Sequence, residues 1–182
     1  RLLSTHPESI VYEAIPDGLM YDKNLSRNAS SSRAIPVERM IADLRRDPAM
    51  PVYWGKAQGG MQAGEDWHER ISMPLTISGS NTMLMTREEA WLAAMEFNIM
   101  VAKSYSEAQY HKQIVNRILE PWAHINVVVT ATDWANFFAL RAHADAQPEI
   151  KELAEAMMAA MGQSDPELLE PGMWHLPYIS SS

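Results

Sequence analysis

The sequence predicts an α+β fold, and three observations carry that expectation. Several long stretches repeat apolar residues at helical spacing behind recognisable caps. A few short β-branched runs lie between them. The two kinds of segment do not alternate regularly, as a doubly wound parallel sheet would require. Apolar residues make up 47% of the 182-residue chain, enough for a buried core and unlike a disordered chain. Residues 1–182 are expected to form a single domain.

Taken in order, residues 8–21 contain SIVYEAIPDGLMY, β-branched and aromatic but broken by Pro16, Asp17 and Gly18. This reads as two short strands or one kinked strand. A polar loop, Asp22 to Arg33, gives way to AIPVERMIADLRR. There Pro36 suits the first helical turn, and Val37, Met40, Ile41 and Leu44 form an apolar stripe ended by Asp47 and Pro48. PVYWGKAQGGMQAG then runs from an extended piece into a Gly-rich loop that lacks the Gly-Lys-Ser/Thr ending of a phosphate-cradling loop. Residues 65–85, with Pro74, Gly79 and Asn81, are expected as an irregular surface excursion.

Thr86 and Glu89 have the spacing of a capping box, and Trp91, Met95, Asn98, Ile99 and Ala102 share one face of the long helix behind it. A turn near Tyr110 leads into HKQIVNRIL, a short helix stopped by Pro121. INVVVTAT reads as a buried strand. Thr132 or Asp133 caps the next helix, DWANFFALR, and Ile150, Leu153, Ala154, Met157 and Met161 mark a further amphipathic one. Residues 179–182 read as a frayed tail.

The net charge of -8 argues against coating a nucleic-acid polymer, which needs a basic face. A small anion is a different matter, because a few well-placed arginines hold a phosphate on an acidic protein. Cysteine is absent, which removes disulfides, thiolate metal sites and cysteine nucleophiles. The six histidines are scattered without metal-ligand spacing, so no metal site is expected. The apolar runs are short of a bilayer span, and a soluble cytoplasmic protein is the expectation. The thirteen methionines read as adaptable packing, at subunit contacts among other places.

Three stretches stand out for chemistry. In YDKNLSRNASSSRAIP, Ser26, Asn28, Ser31 and Arg33 crowd hydroxyls, an amide and a guanidinium into one loop able to grip a phosphate; a solvated linker is the blander reading. In HKQIVNRILEP, Arg117 sits between Ile114, Val115, Ile118 and Leu119, where an arginine usually snorkels to water. In VVVTATDWANFFALRAHADAQPEI, Arg141 shares a helical face with Trp134, Phe137 and Phe138, though a last-turn arginine also complements the helix dipole.

These stretches together resemble the flavin-dependent thymidylate synthases (ThyX type), in the form common in phages. The family signature runs Arg-His-Arg, two residues, Ser, one residue, Asn, two residues, Ser, one residue, Arg. Ser26, Asn28, Ser31 and Arg33 keep its second half, and SRNASSSRAIPVERMI nearly repeats the phage-type wording. Tyr21, Asp22 and Lys23 replace the first half, so Lys23 keeps one positive charge without the planar fork and Asp22 reverses the polarity. Arg117 and Pro121 keep the spacing of a family helix whose arginine reaches the nucleotide phosphate. Asn136, Phe137, Leu140, Arg141, His143, Ala146, Gln147, Glu149 and Ile150 follow a further family pattern. WGKAQGGMQA and PGMWHLPY also look familial, and packing is their expected role.

The resemblance implies a small, central, mostly antiparallel sheet packed with several long helices. It also implies a homotetramer with active sites shared between chains. FAD, with NADPH and 5,10-methylenetetrahydrofolate as co-substrates, would convert dUMP to dTMP. Ser31, Arg33 and Arg117 would bind the substrate phosphate, and Arg141 the uracil edge, with Ser31 and Arg141 as the catalytic candidates. Lys23, Ser26, Asn28 and Asn136 would face FAD. The missing cysteine fits, because the other type of thymidylate synthase depends on a cysteine attacking the pyrimidine. Two alternatives stand beside this. One is a phage pyrimidine-modifying relative that hydroxymethylates dUMP or dCMP. The other is a non-catalytic nucleotide-binding or assembly subunit, to which the Tyr21-Asp22-Lys23 departure points.

Overall fold

The computed structural model describes residues 26–29, 34–60, 64–76, 79, 81–131, 133–165 and 168–172. The strands expected within 8–21 and the tail at 179–182 lie outside these residues. In chain order the elements are β1 (Ser26–Ala29), α1 (Val37–Arg46), β2 (Ile71–Pro74), β3 (Thr82–Met85), α2 (Arg87–Glu107) and α3 (Lys112–Val115). Two 3-10 turns, Asn116–Ile118 and Glu120–Trp122, precede β4 (Val127–Thr130), α4 (Ala135–Arg141) and α5 (Pro148–Gly162). The α+β class holds. The pairing is small and antiparallel as expected, but in place of one central sheet the described residues form two two-stranded sheets, β1 with β4 and β2 with β3. Each strand is four residues long.

The chain divides into two compact units. One contains α1, the β2–β3 hairpin, α2, α3 and both 3-10 turns. Its core is the stripe the sequence foretold on α1, Val37, Met40, Ile41 and Leu44, set against Met95, Ile99 and Ala102 of α2 and Val115, Leu119 and Trp122 beyond it. Helix α2 starts at a complete capping box, with the Thr86 side chain accepting from the Glu89 amide and the Glu89 carboxylate accepting from the Thr86 amide. A bidentate ion pair from Arg45 to Glu96, at 2.9 and 2.7 Å, fastens α1 to α2 outside the core. This hydrogen-bonded guanidinium holds the Glu96 carboxyl below its ordinary value.

Two expectations are revised in this unit. Residues 65–85 are not irregular throughout: β2 and β3 pair from Ile71 opposite Met85 to Pro74 opposite Thr82. The residues that read as breakers make the connection. Leu75 donates to the Asn81 carbonyl at 2.8 Å, and Gly79, at φ 72°, donates to the Thr76 carbonyl at 2.9 Å. The helix expected over HKQIVNRIL is α-helical only through Val115 and then tightens, so Arg117 sits in a 3-10 turn. Pro121 explains this, since it has no N–H to donate and its ring would strike the carbonyl of the residue four positions back, which is Arg117.

The segment around Trp54 is anchored rather than loose. Gly55 bridges Asp66, Lys56 donates to the Glu65 carbonyl at 2.9 Å, and Trp67 donates to the Trp54 carbonyl at 2.8 Å. Arg87 binds the Asp66 carboxylate at 2.6 Å, the Trp67 carbonyl at 2.7 Å and Glu88 at 2.7 Å, and lies over the Trp54 ring. Its hydrogen bonds hold the Asp66 and Glu88 carboxyls below the usual carboxylate range.

The other unit contains β1, residues 58–60, β4, α4 and α5. Its core is Phe137, Ala154 and Met157, with Ile150, Leu153, Trp134 and Phe138 packed on it. Along β4, Val127 and Val129 are buried while Thr130 is exposed, so the strand buries one face rather than both.

Candidate nucleotide site

Of the three arginines singled out by sequence, Arg117 and Arg141 sit on short elements, and each element is held by tertiary contacts rather than by its own length. Helix α4 has seven residues. Its N-cap is Trp134, with no side-chain cap bond, rather than the expected Thr132 or Asp133; the Asp133 carboxylate accepts from the Ala135 amide at 3.1 Å in the turn that leads into the helix. The Trp134 indole donates to the Ala131 carbonyl at 3.2 Å and closes the connection from β4. Trp134, Phe137 and Phe138 contact one another as rings, with centroids between 5.4 and 6.1 Å apart. Arg141 follows Phe137 by one helical turn and is half-buried. Its Nε is buried without a hydrogen-bond partner among the described residues. Behind it, His143 Nδ1 accepts from the Asp145 amide at 3.2 Å, and that turn leads into α5.

Strand β1 pairs antiparallel with β4, Ser26 opposite Thr130 and Asn28 opposite Val128. The polar loop's strand and the strand that delivers the chain to α4 are therefore neighbours, about a hundred residues apart in sequence. Ser26, Asn28, Asn136 and Arg141 all belong to this unit.

Arg117 belongs to the other unit and is exposed. Its neighbour Asn116 is fully buried and donates through Nδ2 to the Ile35 carbonyl at 2.9 Å. Lys112, one turn earlier, donates through Nζ to the Ala34 carbonyl at 2.6 Å. The segment carrying Arg117 is thus tied to the residues that directly follow Arg33. Lys23, Ser31 and Arg33 themselves lie outside the described residues.

Charge pairing divides the arginines into two groups. Among the described residues Arg39, Arg45, Arg46 and Arg87 sit in ion pairs, whereas no carboxylate pairs with Arg70, Arg117 or Arg141. An unpaired guanidinium keeps its charge and its fork of donors for an anion or a carbonyl edge. The carboxyls held low, Asp66, Glu88 and Glu96, are ion-pair members, which argues against using them as proton donors near neutrality.

A family model, thymidylate synthase complementing protein, matches residues 62–167, more than half of the chain. The chain belongs to that family. It is the family of flavin-dependent thymidylate synthases that the sequence resembles, and membership makes the chain a thymidylate synthase-like enzyme. No curated protein and no solved structure matches it. In this family member the matched stretch includes Arg117, Asn136 and Arg141 and excludes Ser26 to Arg33. Lys112 and Asn116, unnoticed in the sequence, also fall inside it. Asn116 left one faint signal, a polar residue between Val115 and the apolar Leu119.

Proposed function

We propose that this chain transfers and reduces a one-carbon unit from 5,10-methylenetetrahydrofolate onto C5 of dUMP, giving dTMP, with FAD as cofactor and NADPH as reductant. The observation that carries the reading is the buried, unpartnered Nε of Arg141. Sealing a guanidinium N–H from water without an acceptor costs about 1–3 kcal/mol or more. A ligand oxygen removes that penalty, and the pyrimidine carbonyl edge is the acceptor this reading supplies. In this role Arg141 orients the ring and stabilises negative charge on the carbonyl as the ring reacts. Arg117, exposed and without a carboxylate partner among the described residues, serves the phosphate, together with Ser31 and Arg33.

Bound FAD would supply the hydride, and the chain has no cysteine to attack the pyrimidine ring. In support of this, Asn28 and Asn136 belong to one unit, on elements joined through β4, with Ser26 on the same strand as Asn28 and Lys23 just before it in sequence. The protein's share of the work is to place the nucleotide and to hold charge. A cytosolic homotetramer with shared sites completes the reading. The exposed Phe97 and Met100 on α2, away from its core face, support subunit contacts, and among the described residues no helix is long and apolar enough to cross a membrane.

The test is purification, an absorption spectrum and titration with dUMP and dCMP. A flavin band and preferential dUMP binding are expected. Arg141→Met should weaken dUMP binding by about 2–5 kcal/mol. Colourless protein that still binds dUMP would favour the alternative of a nucleotide-binding subunit without catalysis, to which Asp22 and Lys23 lend weight. Absence of both flavin and nucleotide binding would sink the enzymatic reading.

A further inference from the structure

Resting on the assembly reading above, we infer that α2 packs antiparallel on α2 of a second copy of this chain, along the face opposite its own core. The contrast with α1 locates that face. Helix α1 buries Val37, Met40, Ile41 and Leu44 and turns Glu38, Arg39, Arg45 and Arg46 to solvent, as a helix with one covered face does. Helix α2 buries Met95, Ile99 and Ala102 on one side. On the other side Ala93, Phe97, Met100 and Ser104 follow one another at i, i+4, i+7 and i+11. Phe97 is 48% exposed and Met100 58%, and no charged residue falls on this stripe. A helix that is apolar on both sides belongs under cover on both sides.

The stripe is complementary to itself. It reads small, large, large, small. About a twofold axis between Phe97 and Met100, Phe97 lies against the partner's Met100 and Ala93 against the partner's Ser104, each contact made twice. Charge selects the direction. Glu96 and Lys103 flank the stripe on the same side, seven residues apart. Flanks of the same side meet only in an antiparallel pair, so Glu96 faces the partner's Lys103 and Lys103 the partner's Glu96. Lys103 is exposed and has no ion pair among the described residues. Glu96 holds Arg45, and a carboxylate has lone pairs left for a second cation. Glu89 and Glu107, the other charges on that flank, fall at the ends of the seam, and Glu89 is turned onto its own cap. The hairpin packed beside α2 leaves Met83 and Leu84 exposed as well, so the apolar area is not confined to the helix.

The chain has no cysteine, so an introduced one reports without background. Ala93→Cys and Ser104→Cys full-length chains, co-expressed, should form a disulfide-linked dimer on mild oxidation. Either variant alone should not, because eleven residues of helical rise, about 16 Å, separate each from its own copy across the axis. Phe97→Glu puts a charge at an exposed position, so circular dichroism should show the fold kept. Sedimentation should show the dissociation constant of the assembly raised by about a hundredfold or more. Should that variant fail to fold, the cysteine pair decides alone. Linkage of either cysteine variant with itself, or no linkage in the mixture from an assembled protein, would overturn the antiparallel seam while leaving the assembly standing. A folded, fully assembled Phe97→Glu would do the same. Wild-type protein that sediments as a monomer would overturn the assembly reading, and this inference with it.

Discussion

Replacing Phe137 with alanine probes how α4 is held. Its side chain is fully buried, with Trp134 at 6.1 Å and Phe138 at 5.4 Å between ring centroids, and it packs with Ala154 and Met157 of α5. Truncating a buried phenylalanine costs about 3–5 kcal/mol, and the aromatic neighbours on either side of this ring put the change toward the upper end. With a urea dependence of about 2 kcal/mol per molar, the midpoint should fall by roughly 1.5–2.5 M. A seven-residue helix has no stability of its own, so the loss should be concentrated in α4 and α5. Hydrogen exchange read by mass spectrometry should show protection lost over 135–141 and 148–162 and kept in α2. Nucleotide affinity should drop as well, since Arg141 stands one turn beyond the ring. Phe137→Leu should fall between the two proteins. An unshifted midpoint, or equal loss of protection in α2, would refute the reasoning.

Two further outcomes follow from the other unit. Thr86→Ala removes half of the capping box on α2 and should cost about 0.5–2 kcal/mol by chemical denaturation, with Thr86→Ser recovering most of it. Arg45 holds the Glu96 carboxyl low in the folded protein, so the unfolded chain takes up the proton more readily. The pair's contribution is therefore present above the ordinary glutamate range and disappears as pH falls through the lowered folded value. Glu96→Gln should be less stable than the parent near neutrality, and the difference should shrink as pH falls below the ordinary glutamate range, as urea midpoints measured across that fall would show.

The helices were largely legible because their signals are local. On α1 the buried residues are the four of its apolar stripe, and on α2 the capping box is where Thr86 and Glu89 announced it. The β2–β3 hairpin was hidden because Pro74, Gly79 and Asn81 advertise turns, and four-residue strands give the alternation too little length to register. The 3-10 turn at Arg117 escaped because its cause acts backward from Pro121. At the candidate site, motif spacing found Arg117 and Arg141, whereas Lys112 and Asn116 make their contacts across 78 and 81 residues. A side chain that reaches a distant main-chain carbonyl leaves no periodic trace.

The tightened turn before Pro121 carries a constraint on how this sequence can vary. Successive residues there splay by about 120° rather than 100°, so Asn116 faces the interior while Arg117 faces out. Interior anchor and outward cation are adjacent letters, and a single inserted or deleted residue between Arg117 and Pro121 would shift both off the faces they now occupy. It would either turn the amide outward or draw the guanidinium inward. Substitutions at Ile118 or Glu120 leave that geometry alone, so natural variation in this stretch should change residue identities while preserving the count of residues up to the proline.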